Sequence, residues 1–154
     1  MASPAPPLAC PNASIATACL STGAKALARL INASSTGREI DELDAKDTLQ
    51  VLWDPANNCW CHENAFPEGY DEIRDGYLGH LHIKDVKVDT PRATLEVREM
   101  GKGQLADQFA PMAAALRADN YEGVISFESV YHPGNNSFED GFRKCIDLFK
   151  THFH

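Results

Sequence analysis

The stretch that decides the fold is Gly79-His80-Leu81-His82-Ile83-Lys84-Asp85. Side chains alternate between the two faces of a β-strand, so Leu81 and Ile83 share one face while His80, His82 and Lys84 share the other. In a parallel α/β barrel, the outer face of each strand packs against helices, and the inner face carries the chemistry near the carboxyl end. The pattern therefore favours a barrel strand over a half-exposed strand with surface polar residues.

Length and composition favour one globular, soluble domain and exclude several function classes. The chain has 154 residues, of which 44% are hydrophobic and 23% are charged, enough for a single core. Its net charge of -8 argues against a surface that binds nucleic acid, because phosphate contacts need clustered Lys and Arg. No apolar run approaches the roughly 20 residues that span a bilayer, which argues against a membrane partner. No basic residue precedes Lys25, so the N-terminus makes a poor signal peptide.

The cysteines indicate a reducing compartment. There are five, an odd number, and without a secretory signal this predicts free thiols and a cytoplasmic location. The segment Cys59-Trp60-Cys61-His62 lacks the spacing of a zinc knuckle and has no second cysteine pair. We therefore expect no zinc site there.

The remaining chain alternates between helix and strand signals. Residues 1–20 form an irregular N-terminal segment, and residues 21–154 form one domain. The polar stretch over residues 33–48 is typical of a surface loop. The patterns predict strands near 49–54, 79–84 and 123–129 and helices near 22–33, 107–118 and 138–150. Such alternation is typical of βαβ units and a parallel sheet.

Each predicted strand ends in polar residues. Asp54 precedes Pro55 at the end of the first, His82 and Lys84 end the second, and Glu128 ends the third. Ligands bind at this edge of parallel α/β sheets. Two carboxylates and an imidazole suit a hard or borderline divalent metal ion. Such an ion polarises a carbonyl and stabilises an enediolate, and a neighbouring carboxylate can take the proton.

Each of these residues also has a purely structural explanation. Asp54 before a proline is a common turn former, and a single His82 is often a hydrogen-bonded core residue. Glu128 could pair with Lys84. Asp54, His82 and Glu128 all lie at the carboxyl ends of predicted strands, and this shared position favours the metal site over the separate structural explanations.

Four motifs in order resemble a known superfamily. They are Leu52-Trp53-Asp54-Pro55-Ala56-Asn57, the His-x-His stretch quoted above, Gly101-Lys102-Gly103, and Tyr121-Glu122-Gly123-Val124-Ile125-Ser126-Phe127-Glu128. Together they resemble the C-terminal half of the xylose-isomerase-like TIM barrels, over roughly residues 12–150. The resemblance implies an α/β fold, a partial (β/α) TIM barrel. It also implies an isomerase or epimerase acting on a sugar or sugar phosphate.

The resemblance assigns roles to particular residues. Asp54, His82 and Glu128 match metal ligands, for which the cofactor is a divalent ion such as Mn, Mg, Co or Zn. Glu128 also matches the base of the epimerases, and we add Lys84 as a catalytic residue. We place Asn57, Trp60 and His80 at the substrate. Val88 stands where ketose epimerases carry an arginine, which favours a looser sugar-phosphate or inositol-type activity.

Length and one ligand depart from the family pattern. Such barrels have about 250 residues. The family's fourth ligand, a glutamate, would fall near Cys10–Asn12, yet no acid precedes Glu39. We therefore expect half a barrel that pairs with a second copy as a homodimer or with an N-terminal half-barrel. The alternative to an isomerase is a non-catalytic half-barrel that serves as a binding or assembly module.

Overall fold

A parallel sheet of four strands carries the structure. The computed structural model describes residues 26–29, 33–128, 130–134 and 137–154. The strand order is β1-β2-β3-β6, and every neighbouring pair is parallel. These strands are β1 (Ala26–Arg29), β2 (Leu49–Trp53), β3 (Leu78–Ile83) and β6 (Val124–Phe127). Four adjacent parallel strands with helices between them form the predicted partial barrel.

The helices and a small hairpin fill the connections between these strands. An antiparallel hairpin of β4 (Asp85–Asp89) and β5 (Thr94–Arg98) follows β3 directly. Two short helical segments, Ala65–Gly69 and Thr90–Arg92, lie in the loops. The main helices are α1 (Ala33–Glu42), α2 (Pro55–Trp60), α3 (Phe109–Ala118) and α4 (Phe138–Phe153).

Most of the predicted elements are confirmed, within a few residues at their ends. The strands expected near 49–54, 79–84 and 123–129 are β2, β3 and β6. The helices expected near 107–118 and 138–150 are α3 and α4. Ser137 caps α4, where its side chain accepts a hydrogen bond from the backbone N–H of Asp140.

The first predicted helix is wrong. Residues Ala26–Arg29 form a strand that pairs with β2, and the helix begins at Ala33, within the stretch 33–48 that we expected to be a loop. Ala, Leu and Arg are strong helix formers, but the parallel neighbour β2 overrides this weak local preference. The predicted irregular segment over residues 1–20 lies outside the described residues.

The faces of the strands follow the predicted alternation. Leu81 and Ile83 are fully buried, and Val51 and Trp53 of β2 are 1% exposed, so these side chains form the helix-facing core. They pack with buried residues of the helices and loops, including Ile73, Leu105, Phe109, Met112, Leu116 and Cys145. His80 and His82 are half-buried on the opposite face. The inner face of the sheet therefore carries the polar residues.

The described residues bear on the expectations of free thiols and of no membrane-spanning segment. Cys59 and Cys145 are free cysteines, and burial raises the pKa of both thiols. Among the helices that the structure describes, none is both long and apolar enough to cross a bilayer.

The carboxylate of Asp85 joins the start of the hairpin to the loop before α3. Its Oδ1 accepts the backbone N–H groups of Val86 (2.9 Å) and Leu105 (3.1 Å), and its Oδ2 accepts those of Gly101 (3.0 Å) and Gly103 (2.8 Å). A Cβ atom at residue 103 would lie 2.1 Å from Asp85 Oδ1, so only glycine lets the backbone approach this closely. The motif Gly101-Lys102-Gly103 is thus a carboxylate-binding turn.

The substitution Asp85→Asn should destabilise the fold. The amide has a single acceptor oxygen and places an N–H₂ group against backbone donors, so we expect the free energy of unfolding to fall by about 2 kcal/mol or more. Urea denaturation followed by circular dichroism measures this change. The matched control Asp107→Asn changes an exposed carboxylate and should have little effect. Equal stability of both variants would contradict the anchoring role of Asp85.

The open side of β6 leads us to expect association of the purified chain. Within the described part of the chain, β6 is the last strand of the sheet, and Val124 on its inner face is 59% exposed, while Leu52 is half-buried. A sheet edge presents backbone groups that can pair with another strand. Val124→Lys should shift the protein towards the monomer in sedimentation velocity, whereas Leu43→Lys, at an exposed apolar residue elsewhere, should not. A monomeric wild-type protein would contradict this expectation.

Candidate functional site

The candidate site lies where β2, β3 and β6 end. Asp54 directly follows β2, His82 is the second-last residue of β3, and Glu128 directly follows β6. One possible ligand atom from each of these three side chains lies within 4.8 Å of the others. In the described part of the chain, no other group of three or more His, Cys, Asp or Glu side chains could hold a metal ion.

Asp54 is held rigidly because it also caps α2. Its backbone is extended, and its Oδ1 accepts the backbone N–H of Ala56 at 3.1 Å, with Pro55 at the first helical position. The residue is only 3% exposed. Burial raises the pKa of this carboxyl group, and the neighbouring Lys84 ammonium opposes the rise. The cap thus leaves the second oxygen, Oδ2, directed at the rest of the site.

Lys84 joins the two carboxylates. Its ammonium donates to Asp54 Oδ2 and to Glu128 Oε2 and forms an ion pair with both. The Lys84 side chain is 11% exposed, so this contact is largely shielded from water. The pairing of Glu128 with Lys84, which the sequence allowed as a structural explanation, is therefore present. Asp54 and Glu128 also converge at the same point, so the two features occur together.

Glu128 is positioned through its backbone as well as its side chain. Its backbone N–H donates to the carbonyl of Ile83 at 2.9 Å, which continues the β3–β6 ladder by one residue beyond the strand end. The Glu128 side chain is 27% exposed, more than that of Asp54. This carboxylate is therefore the more accessible of the two.

The two histidines differ in what holds them. His80 Nε2 lies 2.6 Å from Ser126 Oγ, and burial together with His82 lowers the pKa of His80. His82 Nδ1 is buried with no hydrogen-bond partner, and its 3.9 Å separation from Glu128 Oε2 is too long for one. The two rings meet edge to face at 4.9 Å between centroids. His82 thus offers an unused ring nitrogen to the site, whereas His80 is already engaged.

The two other predicted substrate contacts lie on α2. Asn57 is half-buried in the first turn, where its backbone N–H donates to the carbonyl of Asp54 at 2.9 Å. Trp60 is 47% exposed at the end of that helix and lines a separate open groove of about 360 Å³ together with Val88 and Thr94. The structure therefore brings together Asp54, His82, Lys84 and Glu128, with His80 beside them, and places Trp60 in another groove.

Sequence reasoning missed the residues that support the site. Asn58, next to the predicted Asn57, is 1% exposed and accepts from Trp53 Nε1 at 2.8 Å while donating to Glu63 at 2.7 Å. Ser126 holds His80, and the parallel register pairs Ser126 with His82. A weak signal existed for Ser126, which lies two residues before Glu128 and therefore shares its strand face. No local pattern distinguishes Asn58 from Asn57.

The fourth carboxylate of the family pattern has no described counterpart to compare. Its predicted position near Cys10–Asn12 lies outside the described residues.

Comparisons with known proteins support the fold. The profile of the family described as "Xylose isomerase-like TIM barrel" matches residues 24–152. A similar solved structure is the apo form of the 3-keto-D-glucoside 4-epimerase YcjR from E. coli, with 25% sequence identity and a TM-score of 0.56. That similarity covers 79% of this chain and 40% of the epimerase chain, so the present chain spans less than half of that protein's length. No curated protein sequence matches the chain.

Two substitutions at Asp54 separate its cap from its charge. Asp54→Asn retains an oxygen for the Ala56 N–H, whereas Asp54→Ala removes the cap altogether. We expect the alanine variant to be less stable than the asparagine variant by about 1 kcal/mol, the usual contribution of an N-cap. Thermal and urea unfolding measure the difference. Identical stabilities would mean that the Ala56 hydrogen bond contributes nothing to α2.

Proposed function

This chain belongs to the xylose isomerase-like TIM barrel family, and on that premise we propose that it is a metal-dependent protein of the sugar isomerase and epimerase type. The observation that carries the proposal is the convergence of Asp54, His82 and Glu128 at the carboxyl ends of three neighbouring strands. Its substrate would be a small sugar or sugar phosphate with a carbonyl next to a C–H bond. The epimerase to which the chain is similar acts on a 3-keto-D-glucoside.

The donor set fits a divalent ion. Two carboxylates and one imidazole nitrogen match the preferences of Mn, Mg, Co or Zn, with the nitrogen favouring the later metals. The buried Nδ1 of His82 without a hydrogen-bond partner supports this fit, because a nitrogen lone pair withdrawn from water normally has a partner. Asp54, His82 and Glu128 would hold the ion.

The chain's own residues supply the acid–base chemistry. A divalent ion bound here would polarise a substrate carbonyl and stabilise the charge of an enediolate. Glu128, the more exposed carboxylate, is the proposed base that removes the proton from the carbon next to the carbonyl. Lys84 is the proposed donor to a substrate oxygen that gains negative charge, since its ammonium already lies at Glu128.

His80 is the proposed substrate contact nearest to the acids. Its lowered pKa keeps the imidazole neutral at pH 7, and a neutral imidazole can both donate and accept hydrogen bonds. Trp60 would contact a substrate only at its far end, because it lies in the separate groove. Asn57, in the first turn of the helix that Asp54 caps, is the other proposed contact.

A second candidate function is a non-catalytic binding or assembly module. The sequence favours it, because Cys10–Asn12, where the resemblance implies a fourth carboxylate, contain no acid that could serve as a second base. Such a module would bind metal and sugar without exchanging a proton. A second copy of the chain or an N-terminal half-barrel is the proposed partner in either case.

A hydrogen–deuterium exchange assay separates the two functions. We expect the protein with Mn²⁺ to exchange the C–H proton next to the carbonyl of a 3-keto sugar in D₂O, as measured by proton NMR. Glu128→Gln should abolish this exchange because an amide cannot accept the proton. Metal binding without any exchange by the wild type would favour the binding module and contradict the isomerase.

The two histidines provide the test of the metal site. His82→Ala removes a proposed ligand and should weaken Mn²⁺ binding by about 100-fold, whereas His80→Ala removes only a neighbouring ring and should weaken it far less. Isothermal titration calorimetry measures both affinities. Equal losses in the two variants, or none in either, would contradict the assignment of His82 as the ligand.

A further inference from the structure

The Lys84 ammonium contacts carboxylate oxygens that a metal ion at this site would need. It contacts Asp54 Oδ2 and Glu128 Oε2, one oxygen from each proposed carboxylate ligand. The other oxygen of Asp54 is already bonded to the Ala56 N–H. A cation that bridges these carboxylates must therefore share oxygens with Lys84 or replace it.

The charges at the site favour replacement of the Lys84 ammonium by the divalent ion over sharing of the carboxylate oxygens. The two ionised carboxylates carry two negative charges, which one ammonium balances only in part and one divalent ion balances fully. An ammonium and a divalent ion held together by the same two carboxylates would repel each other at short range in a shielded site. The two cations therefore compete.

The ammonium of Lys84 leaves the hydrogen-bonding capacity of His82 Nδ1 unsatisfied. The ammonium is a hydrogen-bond donor to the two carboxylates, yet the buried Nδ1 of His82 has no partner. A metal ion can bind two carboxylate oxygens and a nitrogen lone pair together. The same three side chains thus serve the divalent ion more completely than they serve Lys84.

We propose that Lys84 is a built-in competitor for the metal site, and that its ammonium must leave Asp54 Oδ2 before a divalent ion binds. The proposal rests on the metal site proposed above and adds a positioning residue that sets the affinity of that site. The ammonium holds the two carboxylates close together, and the metal takes over this role. Once displaced, Lys84 is released next to the substrate position.

This competition lowers the apparent affinity for metal. If the arrangement with Lys84 between the carboxylates accounts for about 90% of the metal-free protein, the apparent Kd is about tenfold weaker than the intrinsic Kd. Removing the ammonium should therefore strengthen metal binding. A residue with a merely structural role would weaken it.

The test compares three lysine variants by titration calorimetry with Mn²⁺. Lys84→Met keeps most of the side-chain length without the charge and should lower the Kd about tenfold. The same variant should melt at a lower temperature in the absence of metal, because Asp54 loses its counter-ion, and should gain more from added Mn²⁺. Lys84→Arg keeps the charge and should bind no more tightly than the wild type. Lys87→Met, at an exposed lysine three residues away, is the matched control.

A measurement on the wild type covers the case in which Lys84→Met does not fold. Acetic anhydride acetylates exposed lysines, and mass spectrometry locates the products. Saturating Mn²⁺ should increase the rate at Lys84, which is shielded by the two carboxylates, and leave the rate at Lys87 unchanged. An unchanged rate at Lys84 in protein that binds Mn²⁺ would overturn the proposal.

The outcomes distinguish this inference from the proposed function. Mn²⁺ binding by the wild type, with equal or weaker binding by Lys84→Met, overturns the competition but leaves the metal site intact. Equal gains in Lys84→Met and Lys84→Arg overturn the charge argument. If Lys84→Met binds Mn²⁺ and the wild type does not, the result supports strong competition. If neither the wild type nor Lys84→Met binds Mn²⁺, both the competition and the metal site are overturned.

Discussion

The register of the parallel pairing between β2, β3 and β6 is the constraint on which the site depends. Leu52 pairs with His80, and His82 pairs with Ser126, so the three strands end at one edge. Because side chains alternate with a period of two, a slip of one residue would move the histidines into the core and Leu81 and Ile83 onto the inner face. The register shifts once, between Val51 and Leu52, and the alternation of β3 is regular from His80 onwards.

Two adjacent residues at the end of β3 then divide the work of organising that edge. Lys84 joins Asp54 to Glu128, whereas Asp85 binds four backbone N–H groups of the hairpin and of the loop before α3. The buried positive and negative charges are each compensated, one by carboxylates and the other by backbone donors. The chain can therefore leave the sheet into the hairpin without an unpaired buried charge.

The family and the site together narrow the chemistry more than either does separately. A barrel fold by itself hosts many reactions, so the fold alone cannot name one. The imidazole and two carboxylates at the strand ends could hold a divalent ion, and this donor set supports the proposed metal-assisted chemistry. The similar epimerase is more than twice as long as the region it shares with this chain, which leaves its activity a proposal here.

The sequence alone determined the alternating strand at 79–84, the succession of β2, β3 and β6 along the chain, and the polar residues at their ends. Those features are local, since they follow from the period of two and from residues that adjoin a strand end. The tertiary structure decided that Ala26–Arg29 is a strand, because a neighbouring parallel strand outweighs the helix preference of four residues. It also decided that Asn58 rather than Asn57 is buried, that Ser126 holds His80, and that Asp85 binds the Gly101–Gly103 turn. Such contacts join residues as far as 46 positions apart and depend on how the elements pack. The residue pattern within a single element therefore cannot predict them.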